Sequence, residues 1–175
     1  MYSLQGNIGI ILEQQGQLED AEQMYTESLQ INLKVFGEDS LNVADTQKNI
    51  ADVRKAQGRY DEAVKVYTDV LQIQERVLGR NHPDVATTQD NIGIVLAVQH
   101  KHSEALKMHE KALKTLVAVL GPQHPLAADT QNNIAIVFRQ QGKYPEALEM
   151  YEKALKTRAA VLGPEHPDVA AIYMK

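Results

Sequence analysis

Residues 121–155 read GPQHPLAADTQNNIAIVFRQQGKYPEALEMYEKAL, and the spacing of their punctuation decides the fold. Gly121 ends one apolar-periodic segment, His124-Pro125 opens the next, and Gln141-Gly142 separates that one from a further segment beginning near Tyr144. Proline is pre-shaped for the first turn of a helix and lacks the amide that this turn leaves unpaired, while glycine just past a helix end takes the left-handed cap conformation. The stretch therefore predicts two helices joined by a short loop, and a loop that short makes them antiparallel neighbours. Strand-like alternation appears nowhere.

The same pattern recurs along the whole chain at a step of 42 residues. Asn7-Ile8-Gly9, Asn49-Ile50-Ala51, Asn91-Ile92-Gly93 and Asn133-Ile134-Ala135 keep that step, as do Ala21, Ala63, Ala105 and Ala147, and Gly37, Gly79, Gly121 and Gly163. Tyr25, Tyr67 and Tyr151 follow it too, with His109 in place of the third member. The expected organisation is a single array over residues 1–175, with units at about 1–40, 41–82, 83–124 and 125–166 and a partial fifth helix at 167–175. In the second unit the helices are expected at about Leu41 to Gln57 and Tyr60 to Leu78. On the latter, Ala63, Tyr67, Val70, Leu71, Val77 and Leu78 form the apolar side, opposite Asp61, Glu62, Lys65, Asp69 and Arg76. Small residues on both helices, such as Gly9 and Ala21, allow close approach within each hairpin.

Composition narrows the function. The 175 residues are 43% hydrophobic and 23% charged, which suits an ordinary folded chain or a repeat array. Zero cysteines exclude a disulfide scaffold and a thiol nucleophile. Net charge −5 argues against a nucleic-acid binder, and no apolar run approaches the roughly 20 residues that span a bilayer. The opening MYSLQGNIGI lacks the basic region and cleavage site of a signal peptide, so the expectation is a cytoplasmic protein with no membrane partner. Charge is uneven: residues 1–42 set Lys34 against seven acidic groups, net −6, and the remainder sums to +1.

Three phrases, VLGRNHPDVA (77–86), VLGPQHPLAA (119–128) and VLGPEHPDVA (161–170), lead into NIG or NIA or their positions, and QGKYPEALEMYEKAL follows the second. With a small residue at 9, 51, 93 or 135, another 12 later and an aromatic four beyond that, the chain resembles the tetratricopeptide repeat, in its 42-residue form of the kinesin light chain and nephrocystin type. Similar long repeats occur in the sensor regions of some signal-transduction ATPases. The resemblance implies an all-α fold, a right-handed αα superhelix or solenoid of antiparallel helix pairs, with first helices lining a concave groove. The implied function is a non-catalytic scaffold that binds an extended peptide or partner helix there. The alternatives are a self-stacking assembly element and a sensor segment of a larger signal-transduction ATPase. The chain begins inside a first helix and stops at Lys175 without polar capping helices, so a piece of a longer array, or end-to-end self-association, is expected.

Candidate groove residues follow from steps of three and four on the first helices. They are Asp45, Lys48, Asn49, Asp52 and Lys55 in the second unit, Asp90, Asn91 and Ile94 in the third, and Asp129, Asn132, Asn133, Ile136 and Arg139 in the fourth, with Asn7 in the first. Each asparagine amide offers a donor and an acceptor to the backbone of an extended peptide, or else bonds a neighbouring first helix and sets the pitch. Ile94 with Ala97 and Val98 offers apolar area; Asp45, Asp52, Asp90 and Asp129 invite Lys or Arg, and Lys48, Lys55 and Arg139 invite acidic residues. A chaperone-type carboxylate clamp in the family places Lys four residues before the Asn, where Asp45, Thr87 and Asp129 stand, so no EEVD-like tail is expected. His82, His124 and His166 recur one per loop and read as helix caps, since zinc needs about four converging ligands. No catalytic motif is present, and neither a metal, a cofactor nor an enzymatic activity is expected.

Overall fold

The computed structural model describes residues 4–162, with backbone alone for residues 161 and 162. The expected helix at 167–175, His166 and Gly163 lie outside the described residues. Eight helices, and no strand, occur among the described residues: α1 (Leu4–Gln14), α2 (Leu18–Phe36), α3 (Leu41–Ala56), α4 (Tyr60–Leu78), α5 (Pro83–Val98), α6 (His102–Leu120), α7 (Pro125–Gln140) and α8 (Tyr144–Leu162). They form two compact units, α1–α4 within residues 1–80 and α5–α8 within residues 81–175. In each unit consecutive helices pack as neighbours, and α5 also touches α7.

Local chemistry explains the boundaries. One cap position opens three of the first helices: the Ser40 hydroxyl accepts the Val43 amide at 3.3 Å, and the Nδ1 atoms of His82 and His124 accept the amides of Asp84 and Leu126 at 3.1 and 3.2 Å. The loop histidines thus do the work of a serine cap, satisfying an amide that the first turn leaves without a partner. Inside each hairpin the turn needs one left-handed residue. Gly58 supplies φ +77° in the second hairpin, and His100, 42 residues on, adopts φ +60° with the same closing bonds: Lys101 N–H to Leu96 O at 2.9 Å matches Arg59 N–H to Arg54 O at 2.9 Å. A histidine there carries a steric cost that glycine does not.

The core is assembled from triplets of helices. Ala21 and Tyr25 of α2 meet Ile50 and Val53 of α3, with Ile10 and Leu12 of α1 packed against them. Val43 and Ala44 of α3 join Val70 and Ile73 of α4 with Leu29 of α2. In the second unit Ala86, Ala112, Leu116 and Ala127 bring α5, α6 and α7 together. The small residues act somewhat differently from the sequence expectation. A Cβ added to Gly9 would stand 2.7 Å from the Tyr25 ring, and one added to Gly93 would stand 2.6 Å from the His109 ring. Each glycine therefore makes room for the ring sixteen residues later, while Ala21 and Ala105 are themselves fully buried.

Val77 departs from its expected place on the apolar side of α4: it is 46% exposed, and Ile73 and Gln74 are buried instead. α4 and α6 have 19 residues against 16 in α3 and α5, so their last turn overruns the partner across the hairpin. Val119, at the same register on α6, is exposed for the same reason. Two substitutions test this packing. His100→Gly relieves the left-handed strain and is expected to stabilise by about 0.5–1 kcal/mol, raising Tm by a few degrees. Gly93→Ala, despite its better helix propensity, should destabilise by about 1–3 kcal/mol because its methyl overpacks against a buried imidazole; thermal unfolding by circular dichroism measures both.

Candidate functional site

In the first unit, Asn7 and Asp45 are exposed, and Lys48, Asn49, Asp52 and Lys55 are half-buried on α3. Asp52 is already engaged. Its Oδ1 accepts the Tyr67 hydroxyl at 2.5 Å and Lys55 Nζ at 2.7 Å, and the Lys55 ammonium also lies 3.3 Å from the phenol oxygen. Burial of the phenol, followed by the negative charge of Asp52, pushes the Tyr67 hydroxyl far above its ordinary value, so it remains a proton donor. Tyr25 repeats the theme one hairpin earlier, donating to Glu13 Oε2 at 3.0 Å.

A second polar cluster in this unit was not legible as a site. Glu22 of α2 accepts Arg54 Nε at 2.8 Å and Arg59 Nη1 at 2.6 Å, and Arg59 in turn holds Glu62 at 2.6 Å. Burial of Glu22 opposes its ionisation, but hydrogen bonds and charge from Arg54 and Arg59 outweigh that and hold its carboxyl below the usual value. The groups stand 32 and 37 residues apart in sequence and meet because α3 packs on α2. Glu22 and Arg59, with Glu19, Gln23, Thr26 and Gln57, line a cleft of about 460 Å³.

In the second unit the asparagine and aspartate positions form a network inside the protein. Asp90 of α5 is 9% exposed. Its Oδ1 is 2.6 Å from His109 Nδ1 on α6, and its Oδ2 accepts Asn133 Nδ2 of α7 at 2.8 Å. A carboxylate only accepts, so the His109 proton sits on Nδ1; His109 Nε2 is buried without a partner. The expectation of Asp90 as an open carboxylate for a basic ligand does not hold, since both oxygens are taken. The cause is an exchange between repeats. Tyr67 draws on Asp52 one turn along α3, but the matching residue on α5 is Ile94, so the shorter His109 turns to Asp90.

Asn91, Ile94, Asn132 and Ile136 are half-buried, Ala97 is buried and Val98 is 45% exposed. Asp129 is exposed and held by Arg158 Nη2 at 2.8 Å. Arg139 is exposed and makes no ion pair among the described residues. The α5–α7 face therefore carries two carboxylates that are spoken for and one cation that is not. His100 and His102 touch edge to face at 5.7 Å between ring centroids, and no group of three or more His, Cys, Asp or Glu converges on a metal-sized site among the described residues. No helix among these residues is long and apolar enough to cross a membrane.

Two predictions follow from these geometries. Asp90→Ala strands a buried imidazole and the Asn133 amide, and is expected to cost about 2–4 kcal/mol in urea unfolding. Because the carboxyl of Glu22 is depressed in the folded state, its contribution is complete above its ordinary value of 4.5 and is lost as pH falls through the lowered one. The gap in urea midpoint between the wild type and Glu22→Gln should therefore be constant near neutrality and close on acidification below about pH 4.5.

No curated protein matches the sequence significantly. Among solved structures, BtubC of P. vanneervenii superposes with TM-score 0.82 at 24% identity, over 93% of this chain and 65% of that one, so the chain spans under two thirds of its length. A kinesin light chain protein of Podosopora anserina with nearly identical TPR-like repeats gives TM-score 0.80 at 24% identity, covering 95% of this chain and 79% of that one. The apo form of RapI gives TM-score 0.78 at 16% identity, over 90% and 55% of the two chains. The fold is thus the all-α tetratricopeptide solenoid of antiparallel helix pairs. The sequence profile of the tetratricopeptide repeat matches residues 1–75, 43–116, 91–160 and 126–175, and the chain belongs to the tetratricopeptide repeat family.

Proposed function

We propose that this protein-interaction repeat array holds an extended segment of a partner protein on the first-helix face of its second unit, and that the segment carries an apolar side chain beside an acidic one. The observation that supports this reading is the imbalance of the α5–α7 face. Asp90 is committed to His109 and Asn133, and Asp129 to Arg158, while Arg139 is open. Ile94 and Ile136, at one register on adjacent helices, flank the network, with Val98 exposed one turn beyond Ile94. Burying one aliphatic or aromatic anchor there supplies about 1.5–3 kcal/mol, and the arginine discriminates against basic neighbours.

Asparagine roles divide on this reading. Asn133 braces α7 against α5, whereas Asn91 makes no side-chain hydrogen bond among the described residues and offers both donor and acceptor to a peptide backbone. Preformed helices spare the ordering cost on the receptor side, so a few contacts suffice for selective, weak binding. In the first unit Asn7 and Asn49 offer the same amide chemistry, but Asp52 and Lys55 neutralise each other, so that face selects less by charge.

Peptide-array selection followed by calorimetry tests the reading. Enriched peptides should pair an apolar residue with Asp or Glu. Arg139→Glu and Ile136→Asp should each weaken binding about tenfold or more, while Lys153→Glu on α8, already paired with Glu149, should not. Enrichment of basic peptides, or equal affinity for all three variants, would sink the proposal.

A further inference from the structure

One cleft recurs in both units with its charge reversed. In the second unit Pro122 and Gln123 of the loop after α6, Gln131 of α7, and Lys153, Lys156 and Thr157 of α8 enclose about 310 Å³. In the first unit a cleft of about 370 Å³ is lined at the same six positions, two repeats earlier, by Glu38, Asp39, Gln47, Asp69, Gln72 and Ile73. Each cleft lies within a single unit, between the loop that joins two hairpins and both helices of the hairpin that follows. It uses a different side of the second helix from the one that receives the next hairpin. On α6, against which α7 packs, Lys111 and Lys114 hold the positions of Lys153 and Lys156, and both are exposed.

The element common to the two clefts is a glutamine oxygen without a donor. Gln131 is 9% exposed, and its Oε1 is buried with no hydrogen-bond partner; Gln47 Oε1 is in the same state. Leaving a buried acceptor unmatched is destabilising, so a donor brought by a ligand gains more there than at an exposed oxygen. Thr157 holds the rim in place by donating to Pro122 O at 3.4 Å. Lys153 pairs with Glu149 at 2.6 Å, whereas Lys156 is exposed and makes no ion pair among the described residues. In the first unit Asp69 and Gln72 replace the two lysines, Glu38 replaces Pro122, and the cation at the rim, Arg76, is paired with Asp39.

We propose that the second-unit cleft binds a short acidic peptide segment, with a carboxylate on Lys156 and a neighbouring backbone N–H on Gln131 Oε1. The cleft asks for both groups in one ligand. A bare carboxylate answers the lysine but turns only acceptors toward Oε1, while a peptide carries an N–H beside its anion. Glu38 and Asp69 repel the same segment from the first-unit cleft, so one architecture is set to opposite charge preferences. The cleft shares no residue with the Ile94, Ile136 and Arg139 face and is a separate point of contact.

Nitrogen-15 NMR titration of the whole chain tests the proposal with three probes: acetylated, amidated Gly-Glu-Gly-Asp-Gly, its Gly-Lys-Gly-Lys-Gly counterpart, and sodium acetate. The acidic peptide should bind in the millimolar range and move the Gln131 side-chain amide and the backbone signals of Gln123 and Lys156. Lys156→Glu, at an exposed position, should weaken that binding tenfold or more, and Gln131→Leu about fivefold. Gln131→Leu also separates recognition from support. It removes an unpartnered acceptor, so Tm should hold or rise, whereas a glutamine that only supports the fold would lower Tm and leave affinity unchanged. Arg139→Glu should alter none of these shifts, which keeps failure of the α5–α7 reading distinct from failure of this one. Equal shifts from the lysine peptide or from acetate, shifts that survive Lys156→Glu, or no movement at Gln131 would overturn the proposal.

Discussion

A two-helix hairpin has more apolar surface than its own two helices can cover, and that shortage organises the protein. The second helix turns one side to its partner within the hairpin and another to the first helix of the hairpin that follows. Tyr25 shows both at once: its ring lies over Gly9 of α1 and packs with Ile50 and Val53 of α3. Burying such a group is worth about 1.5–3 kcal/mol, so a hairpin with an uncovered side lacks a large part of its stability. The constant step of 42 residues keeps these surfaces in register, and the turn and cap chemistry of each repeat serves that register.

Within the constraint, polar partners are free to move. The aromatic position above the small residue carries a hydroxyl in Tyr25 and Tyr67, which must find an acceptor, and Glu13 and Asp52 provide it. Replacing the ring by His109 shortens the reach, and the acceptor shifts to Asp90, which also takes Asn133 from the next first helix. The third repeat thus has a three-helix brace where the second has a bond within its hairpin. Function on a repeat scaffold arises in this way, because the core fixes which side chains are spoken for and the ligand meets what remains.

Much of this was legible in the sequence. Periodicity of small residues and of Gly37, Gly79 and Gly121 gives the hairpins, and His-Pro gives the helix starts, because these depend on local backbone chemistry that neighbours cannot alter much. Face assignments were less secure. Val77 sits at an apolar register but on a turn that overruns its partner, and Asp90 sits at a groove register but faces a buried imidazole. Spacing reports which residues share a side of a helix, not whether another helix ends before reaching them.

By itself the sequence determined the helical repeats, their boundaries and the family, since each rests on short-range rules repeated four times over. The tertiary structure alone decided which charges remain available. Asp90 and Asn133 lie 43 residues apart, and Glu22 and Arg54 lie 32 apart, and no local pattern joins them. Whether a carboxylate is a recognition group or an internal brace depends on the distance to a donor on another helix, and that distance exists only once the helices have packed.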